Sequence, residues 1–491
     1  MCKRTRWEIG LLLVFPLYAQ SKAVEIENAE ELGGTPERRV LQGGVRLRQD
    51  TLTLLCQEAI LTVDGAFTAL GTTQTIVGQS GIIHAERLWY DPQSKRLAYE
   101  GGVRAYFPPA ELRAPRIQYD RTSQLLYYES EGTLRDTTGI IYSERGYYSI
   151  PEEKAYFGGR VRLYKQSSYG LSDSLIYDVQ RYTAIFPTPL VVYDTLRHDT
   201  LYAKKATWNR LTGEIFLSDS VAYRDSLHWG TMEVAYIVPS KDSVEGYCRV
   251  RYALRGKKGF GWGDTVRWHH DTLTVWDNAA LYWEDSVQTV FLQAKWIEGK
   301  GTLVVAVGDV ELLRPPLLAK AETLIYDTLR QFVWLRENVW LADSAMQLWA
   351  DKLDLKLSYN RPDTGWAEGE VKLLIEADTF LRFFHQVKGD SALAVWDKEG
   401  HLRHLFFHHR VQTVYYQSKG IYWEGGHYAL GSELYIELDS LQHPIYVKLS
   451  EKPQGRFWPI RTILRDPLWI KGMQWLWAHQ QPRWPFKKRE E

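Results

Sequence analysis

The chain repeats itself about every 30 residues, and that step limits what it can fold into. Apolar residues that open alternating runs stand at Val45, Val103, Val161, Val191, Val221, Val250, Val310 and Val339, with gaps of 58, 58, 30, 30, 29, 60 and 29 residues. A step of this size marks stacked supersecondary units, each too small to bury its own apolar face. The stretch from Val307 to Leu357 shows the unit most plainly. Val310 and Leu312 follow a Gly-Asp turn, and Pro315 and Pro316 interrupt with an extended, non-ladder connection. The run Ala321-Glu322-Thr323-Leu324-Ile325-Tyr326 closes on Asp327-Thr328, and the cycle restarts at Val339 and Leu341. Side-chain period two with turn residues at each end predicts strand, turn, strand, turn.

The closing half of the unit has its own signature. Ala85-Glu86-Arg87-Leu88-Trp89-Tyr90-Asp91 matches the run at 321 to 327 almost residue for residue. Ala114 to Asp120 and Ser172 to Asp178 are looser copies. Asp followed by Thr or Ser and Leu recurs at Asp50, Asp173, Asp194, Asp199, Asp225, Asp271, Asp327 and Asp439. Asp bonds its own backbone two residues on, so these read as turn formers. The 20 Trp and 30 Tyr suit a pleated, half-buried surface and support an all-β chain. Leu41 to Leu47 reads as the first strand after a polar, turn-rich edge at 24 to 39. It carries Gly43 and Gly44 as its turn, Val45 and Leu47 on a dry face, and Arg46 and Arg48 on a wet one. No confident helix is expected before residue 456. Asp363 to His409 fits the repeat less well and reads as a distorted unit or a junction between lobes.

Basic residues number 60 and acidic residues 60, so nothing steers the chain toward nucleic acid. Lys3, Arg4 and Arg6, an apolar core from Ile9 to Tyr18, then Ala19, predict a signal peptide over 1–19 and export to the periplasm. Cys56 and Cys248 lie in different repeats and read as separate thiols.

Catalytic signatures are sparse. His385, His401, His404, His408 and His409 are the best metal candidates, but residues four apart on a strand stand about 13 Å distant, and the companion Glu of a helical zinc motif is missing. His269-His270 has no accompanying nucleophile. Gly256 to Gly263 lacks phosphate-loop spacing and reads as a hairpin turn. The expectation is a non-enzymatic protein with no cofactor and no metal. From Gly455 onward tryptophans and prolines dominate, and Leu468 to Trp477 reads as a short amphipathic helix that caps the last strands or lies in a membrane interface or a partner groove.

The Gly-Gly-Val-Arg-Leu and Asp-Thr-Leu-Thr-Leu-Leu-Cys-Gln-Glu-Ala order at 43 to 59, with the Ala-Glu-x-Leu-x-Tyr-Asp units at 85 and 321, resembles the OstA-like family of periplasmic lipopolysaccharide-transport bridge proteins, over roughly residues 40 to 450. The resemblance implies an open β-jellyroll, or β-taco, built as two fused lobes or one long one. Its apolar groove would carry lipid A acyl chains, and its partners would be lipopolysaccharide, further jellyroll components joined by edge-strand pairing, and copies of itself head to tail. The chain is far longer than single-domain bridge proteins and shows no C-terminal translocon barrel. Expected boundaries are 24–240 and 241–455 for two lobes and 456–491 for a Trp-rich tail. Period-two placement nominates Val45, Leu47, Val103, Val161, Leu163, Val310, Leu312, Val339 and Leu341 as groove residues, although core packing explains any one of them equally well. The rival readings are a β-solenoid structural or adhesin module without lipid cargo and, more distantly, a carbohydrate-active β-helix.

Overall fold

The 30-residue step is one hairpin, two strands of mostly 11 or 12 residues with their turns. The computed structural model describes residues 24–78, 81–196, 198–225, 228–254, 259–269, 272–284, 289–378, 380–420, 422–441 and 443–477. The expected signal peptide, residues 256–258 of the expected hairpin turn, His270, Asp271 and the tail beyond Trp477 lie outside them, while Gly259 to Gly263 open the strand Gly259–His269. Among the described residues the fold is all-β and jellyroll-like, with antiparallel pairing. Helical structure there amounts to a 3₁₀ turn at Pro239–Lys241 and one α-turn at Ile460–Ile463. The amphipathic helix expected over Leu468 to Trp477 does not form, and Gly472 there sits at φ +84°.

Two kinds of turn alternate along the ladder. In one, an aspartate caps its own turn: Asp91, Asp120, Asp178 and Asp327 accept backbone N–H groups two or three residues on, at 2.9–3.1 Å. In the other, two residues suffice, as at Asp50-Thr51 and Pro108-Pro109. Pro315-Pro316 belongs to this second kind. It is a tight hairpin turn joining Arg314 to Leu317, not the extended connection the prolines alone suggest, because both turn positions tolerate the loss of an N–H donor. Asp173 departs from the turn reading too, since it lies inside the strand Ser168–Asp178.

Ten of the described strands turn a corner part-way along their length. Gly43-Gly44, Gly101-Gly102, Gly159-Arg160, Asp219-Ser220, Cys248-Arg249, Asp277-Asn278, Gly308-Asp309, Glu337-Asn338, Gly369-Glu370 and His409-Arg410 are all left-handed pairs, with φ from 41° to 89°. Extended backbone cannot pass through two such residues without bending, and the ladder register slips at each pair, as between Gln42 and Val45 or Arg336 and Val339. Gly43-Gly44, the expected turn of the first strand, is therefore a corner inside the strand Arg38–Gln49. Likewise, the repeating valines do not open strands; all of them except Val191 follow a corner. Val45, Val103, Val161, Val221, Val250, Ala279, Val310, Val339, Val371 and Val411 come directly after the pairs and are at most 2% exposed. Val191, with no such pair before it, is only half-buried.

Outside the corner line, charged side chains bridge neighbouring strands. Lys205 meets Asp219 at 2.8 Å, Lys295 meets Asp309 at 2.7 Å and Arg410 meets Asp390 at 2.7 Å, and Arg160 pairs with Glu144 and Arg249 with Glu233. Exposed pairs add little stability each. They do favour the register in which corners align.

The chain forms two compact units, Met1–Thr188 and Pro189–Glu491. In the first, the edge strands Glu25–Asn28 and Glu31–Gly34 both pair with Arg38–Gln49, one on each side of its corner. In the second, strands lengthen toward the C-terminus, to 18 residues at Arg361–Asp378 and Leu402–Lys419. From Asn338 to Glu370 to Arg410 the corner step grows to 32 and then 40 residues, which is why this region breaks the repeat.

A Cβ at Gly101 would stand 2.5 Å from the Glu86 Cβ on a backbone at φ +89°. Gly101→Val is expected to destabilise the first unit by about 1–3 kcal/mol, whereas Asn338→Gly at an open corner stays within about 0.5 kcal/mol. Urea denaturation of both variants checks this.

Candidate functional site: the inner face of the folded sheet

Bending every strand at its middle turns one face of the ladder inward on both arms. Along Gly81–Asp91 the buried residues are Gly81, Ile83 and Ala85, then Leu88 and Tyr90. Glu86 and Arg87 take the corner and point out. The same phase slip appears at Ala114, Ile117 and Tyr119, around Pro115-Arg116. The Ala-Glu-x-Leu-x-Tyr-Asp signature at 85 is thus a small residue at the fold line, two exposed residues at the corner, and two large residues on the second arm; at 321 the two corner residues, Glu322 and Thr323, are half-buried.

Each unit brings its own share of the sequence-nominated residues to this face. Val45, Leu47, Val103, Val161 and Leu163 in the first unit are 0–2% exposed; in the second, Val310 and Val339 are 1% and Leu341 is 8% exposed. Leu312 is half-buried, and its neighbour Leu313 is buried on the opposite face of the sheet, beside Leu318. The valines after corners face small partners across the ladder. Val45 pairs with Cys56, Val103 with Ala114, Val161 with Ser172, Val310 with Ala321 and Val339 with Ala350. Period-two reading from the valines missed these partners and the second-arm residues Leu88, Tyr90, Ile117, Tyr119 and Tyr177. The skipped position in the repeated signature was the signal that would have found them.

In the first unit the free edges of the two arms meet through side chains. The Arg121 guanidinium, on one lip, donates to Gln49 Oε1 at 2.5 Å, to Asp50 Oδ2 at 3.2 Å on the other lip, and to the Tyr90 hydroxyl at 3.3 Å. Its cation also lies 5.8 Å from the Tyr90 ring centroid. Farther along, Phe107 packs on Tyr148 with ring centroids 5.4 Å apart, and the Tyr177 hydroxyl donates to Asp136. The strand pairings described for this unit run between ladder neighbours, with none from lip to lip. Between Phe107, Leu112, Leu126, Leu134 and Tyr148 the interior leaves about 10 Å³, room for hardly one water molecule. A separate recess of about 730 Å³ sits on the corner line, lined by Arg104, Arg113, Arg160 and Arg162 with Glu131 and Glu144. Its charged walls make it no home for hydrocarbon.

The histidines scatter. His404 Nδ1 is 2.9 Å from the Tyr435 hydroxyl, His408 faces Glu433 at 3.8 Å, His401 faces Asp397 at 3.5 Å, and His409 is a corner residue. No group of three or more His, Cys, Asp or Glu able to hold a metal occurs among the described residues. His385 stacks on Tyr415, and its Nδ1 accepts the Tyr416 N–H at 3.3 Å; burial, with a lesser contribution from His443, pushes its pKa down to about 3. The Cys56 thiol is buried and pushed up to about 11, whereas Cys248 is exposed at its corner; both are free.

Two outcomes follow. Arg121→Ala removes the bonds across the lips and is expected to lower the first unit's stability by about 1–3 kcal/mol in urea denaturation. The folded His385 resists a proton that the unfolded chain accepts near pH 6.5, so its contribution is complete above that value and is lost as pH falls toward 3. His385→Phe should therefore flatten the decline in urea midpoint between pH 7 and pH 4.

Residues 21–173 match the family model described as OstA-like protein. No curated protein matches the chain.

Proposed function

We propose, with the OstA-like character of residues 21–173 as the premise, that the protein is a non-enzymatic periplasmic component of lipopolysaccharide transport that shelters acyl chains between the arms of its folded sheet. The observation that carries this is the seam of the first unit. A continuous apolar inner face is closed by Arg121, by the Phe107–Tyr148 contact and by the Tyr177–Asp136 hydrogen bond instead of by a strand ladder. Side-chain contacts of this kind part at a cost of a few kcal/mol, while each methylene that enters gains about 0.8 kcal/mol. A chain of a dozen methylenes therefore offsets an open seam. Partners on this reading are the acyl chains of lipopolysaccharide and other jellyroll components at the sheet edges. No helix among the described residues is long and apolar enough to cross a membrane.

The tight interior around Phe107 and Tyr148 supports a second reading, a structural module with a permanently filled core. The two readings part on whether lipid ever reaches the inner face. A photocrosslinker at Leu47, 2% exposed behind the seam, and another at Leu312 are expected to capture lipopolysaccharide in cells. Crosslinks to protein alone would leave the filled module as the better account, and mass spectrometry of lipids copurifying with the mature chain gives an independent check.

A further inference from the structure

In the first unit one row of outward-facing residues runs straight across five strands. Register pairs Arg104 with Arg113, Arg113 with Thr133, Thr133 with Tyr142, and Tyr142 with Arg162. Their chain neighbours Val103, Leu112, Leu134, Ile141 and Leu163 are buried on the inner face, so the row points to solvent. Arg104, Arg113, Tyr142 and Arg162 are exposed and Thr133 is half-buried. All five line the recess of about 730 Å³, which Glu131, Glu144 and Arg160 complete on the corner side. A cleft of that size is ordinary for a small-ligand site. The recess has a backbone origin. Toward the next hairpin, the pairing of Ala110–Asp120 stops at Arg113 and resumes at Gln118. Pro115, inside that gap, has no N–H to leave unpaired.

Charge sets the recess apart. Four arginines line it against two glutamates. Two of the four are engaged: Arg113 Nη2 meets Glu111 at 2.8 Å, and Arg160 pairs with Glu144. Arg104 and Arg162 have no hydrogen-bond or ion-pair partner among the described residues. Arg104 and Arg113 stand directly opposite across an antiparallel pair, Cβ atoms about 5 Å apart, where like charges destabilise a sheet. On its other side Arg104 faces His84, so no carboxylate in the row relieves it. Arg162 lies three strand spacings from Arg113, about 14 Å, with the Thr133 hydroxyl and the Tyr142 ring between. Tyr164 packs edge-on against that ring, centroids 5.6 Å apart, and holds it in place.

We propose that this recess binds a doubly anionic, hydroxyl-bearing ligand of sugar bisphosphate type. One phosphate bridges Arg104 and Arg113, a second reaches Arg162, and the body between them lies over Thr133 and Tyr142. A guanidinium fork matches phosphate oxygens two at a time, and an oxyanion between Arg104 and Arg113 turns their repulsion into attraction. The two cationic ends stand too far apart for one phosphate to serve both. The site goes beyond acyl sheltering and does not need it, since it lies on the outward face. A free sugar bisphosphate and a lipid headgroup of the same chemistry make the same contacts, and the test separates them.

Calorimetric titration of the full mature chain with glucose 1,6-bisphosphate at low salt is expected to show one site, with glucose 1-phosphate at least about tenfold weaker. Arg104→Ala and Arg162→Ala should each weaken bisphosphate binding at least about tenfold and leave the urea midpoint unchanged, or raised for Arg104→Ala because a like-charge pair is gone. Phosphatidylcholine vesicles carrying phosphatidylinositol 4-phosphate, whose inositol bears two phosphates, identify the source. Cosedimentation that both variants lose assigns the site to a headgroup; bisphosphate binding without cosedimentation assigns it to a free ligand. No bisphosphate binding, equal affinity for glucose 1-phosphate, or binding that both variants retain overturns the proposal. So does a loss of binding that comes with a lowered urea midpoint in both variants, the mark of a purely structural role. None of these outcomes bears on acyl sheltering, which the photocrosslinks test.

Discussion

Two adjacent residues in the left-handed region, placed inside ten of the described strands, are what the rest of this structure depends on. A straight ladder of 11- and 12-residue strands would be a flat sheet with one greasy face in water. The corner folds that ladder so that the face closes on itself. Each left-handed residue that is not glycine costs free energy, and the chain accepts that cost at Cys248-Arg249, Asp277-Asn278, Glu337-Asn338 and His409-Arg410. The return is burial. The valine or alanine that follows each corner is almost fully withdrawn from water, and at Val45, Val103, Val161, Val310 and Val339 it stands opposite a small residue that lets the arms approach.

Once the corner is set, the ends of each strand must come back toward each other, and the lips of the first unit follow from that geometry alone. Backbone hydrogen bonds are spent along the ladder, so the lips have only side chains with which to meet. Arg121 reaching Gln49 and Asp50, Phe107 on Tyr148 and Tyr177 on Asp136 are contacts of that kind. A seam of side chains gives the fold a weak line along a strong core. That contrast makes a sheltering role physically reasonable for an interior that holds almost no free space when shut.

The second unit carries an apolar wall on the other face of its sheet as well, opposite to Val310, Leu341 and Val371. Its wall near Phe383, Phe384, Trp340 and Leu313 is covered by the chain's own residues 464–477, tied through Gln386, Gln347 and Tyr416. Buried glutamines are costly in an apolar wall unless their amides are used. Here they fix an irregular segment that could not pair with the sheet by itself. The lengthened strands of this unit, up to 18 residues, enlarge the face that needs cover.

Local chemistry makes much of this fold legible in the sequence. Period-two alternation, the capping aspartates at Asp327 and Asp439 and the 30-residue step are short-range signals, and strands, turns and repeat follow from them. The OstA-like likeness was carried by the same short-range rhythm. Corners were not legible, because Glu337-Asn338 or Cys248-Arg249 has no left-handed preference strong enough to announce itself. Only the requirement that both arms bury one face selects that conformation. For the same reason the valines read as strand openings and the Trp-rich tail as a helix. Pairing of Arg121 with Gln49, or of Gln386 with Leu468 and Ile470, joins residues about 70 and 80 positions apart. Such contacts exist only after the folded sheet has brought them together, and no pattern along the chain encodes the distance.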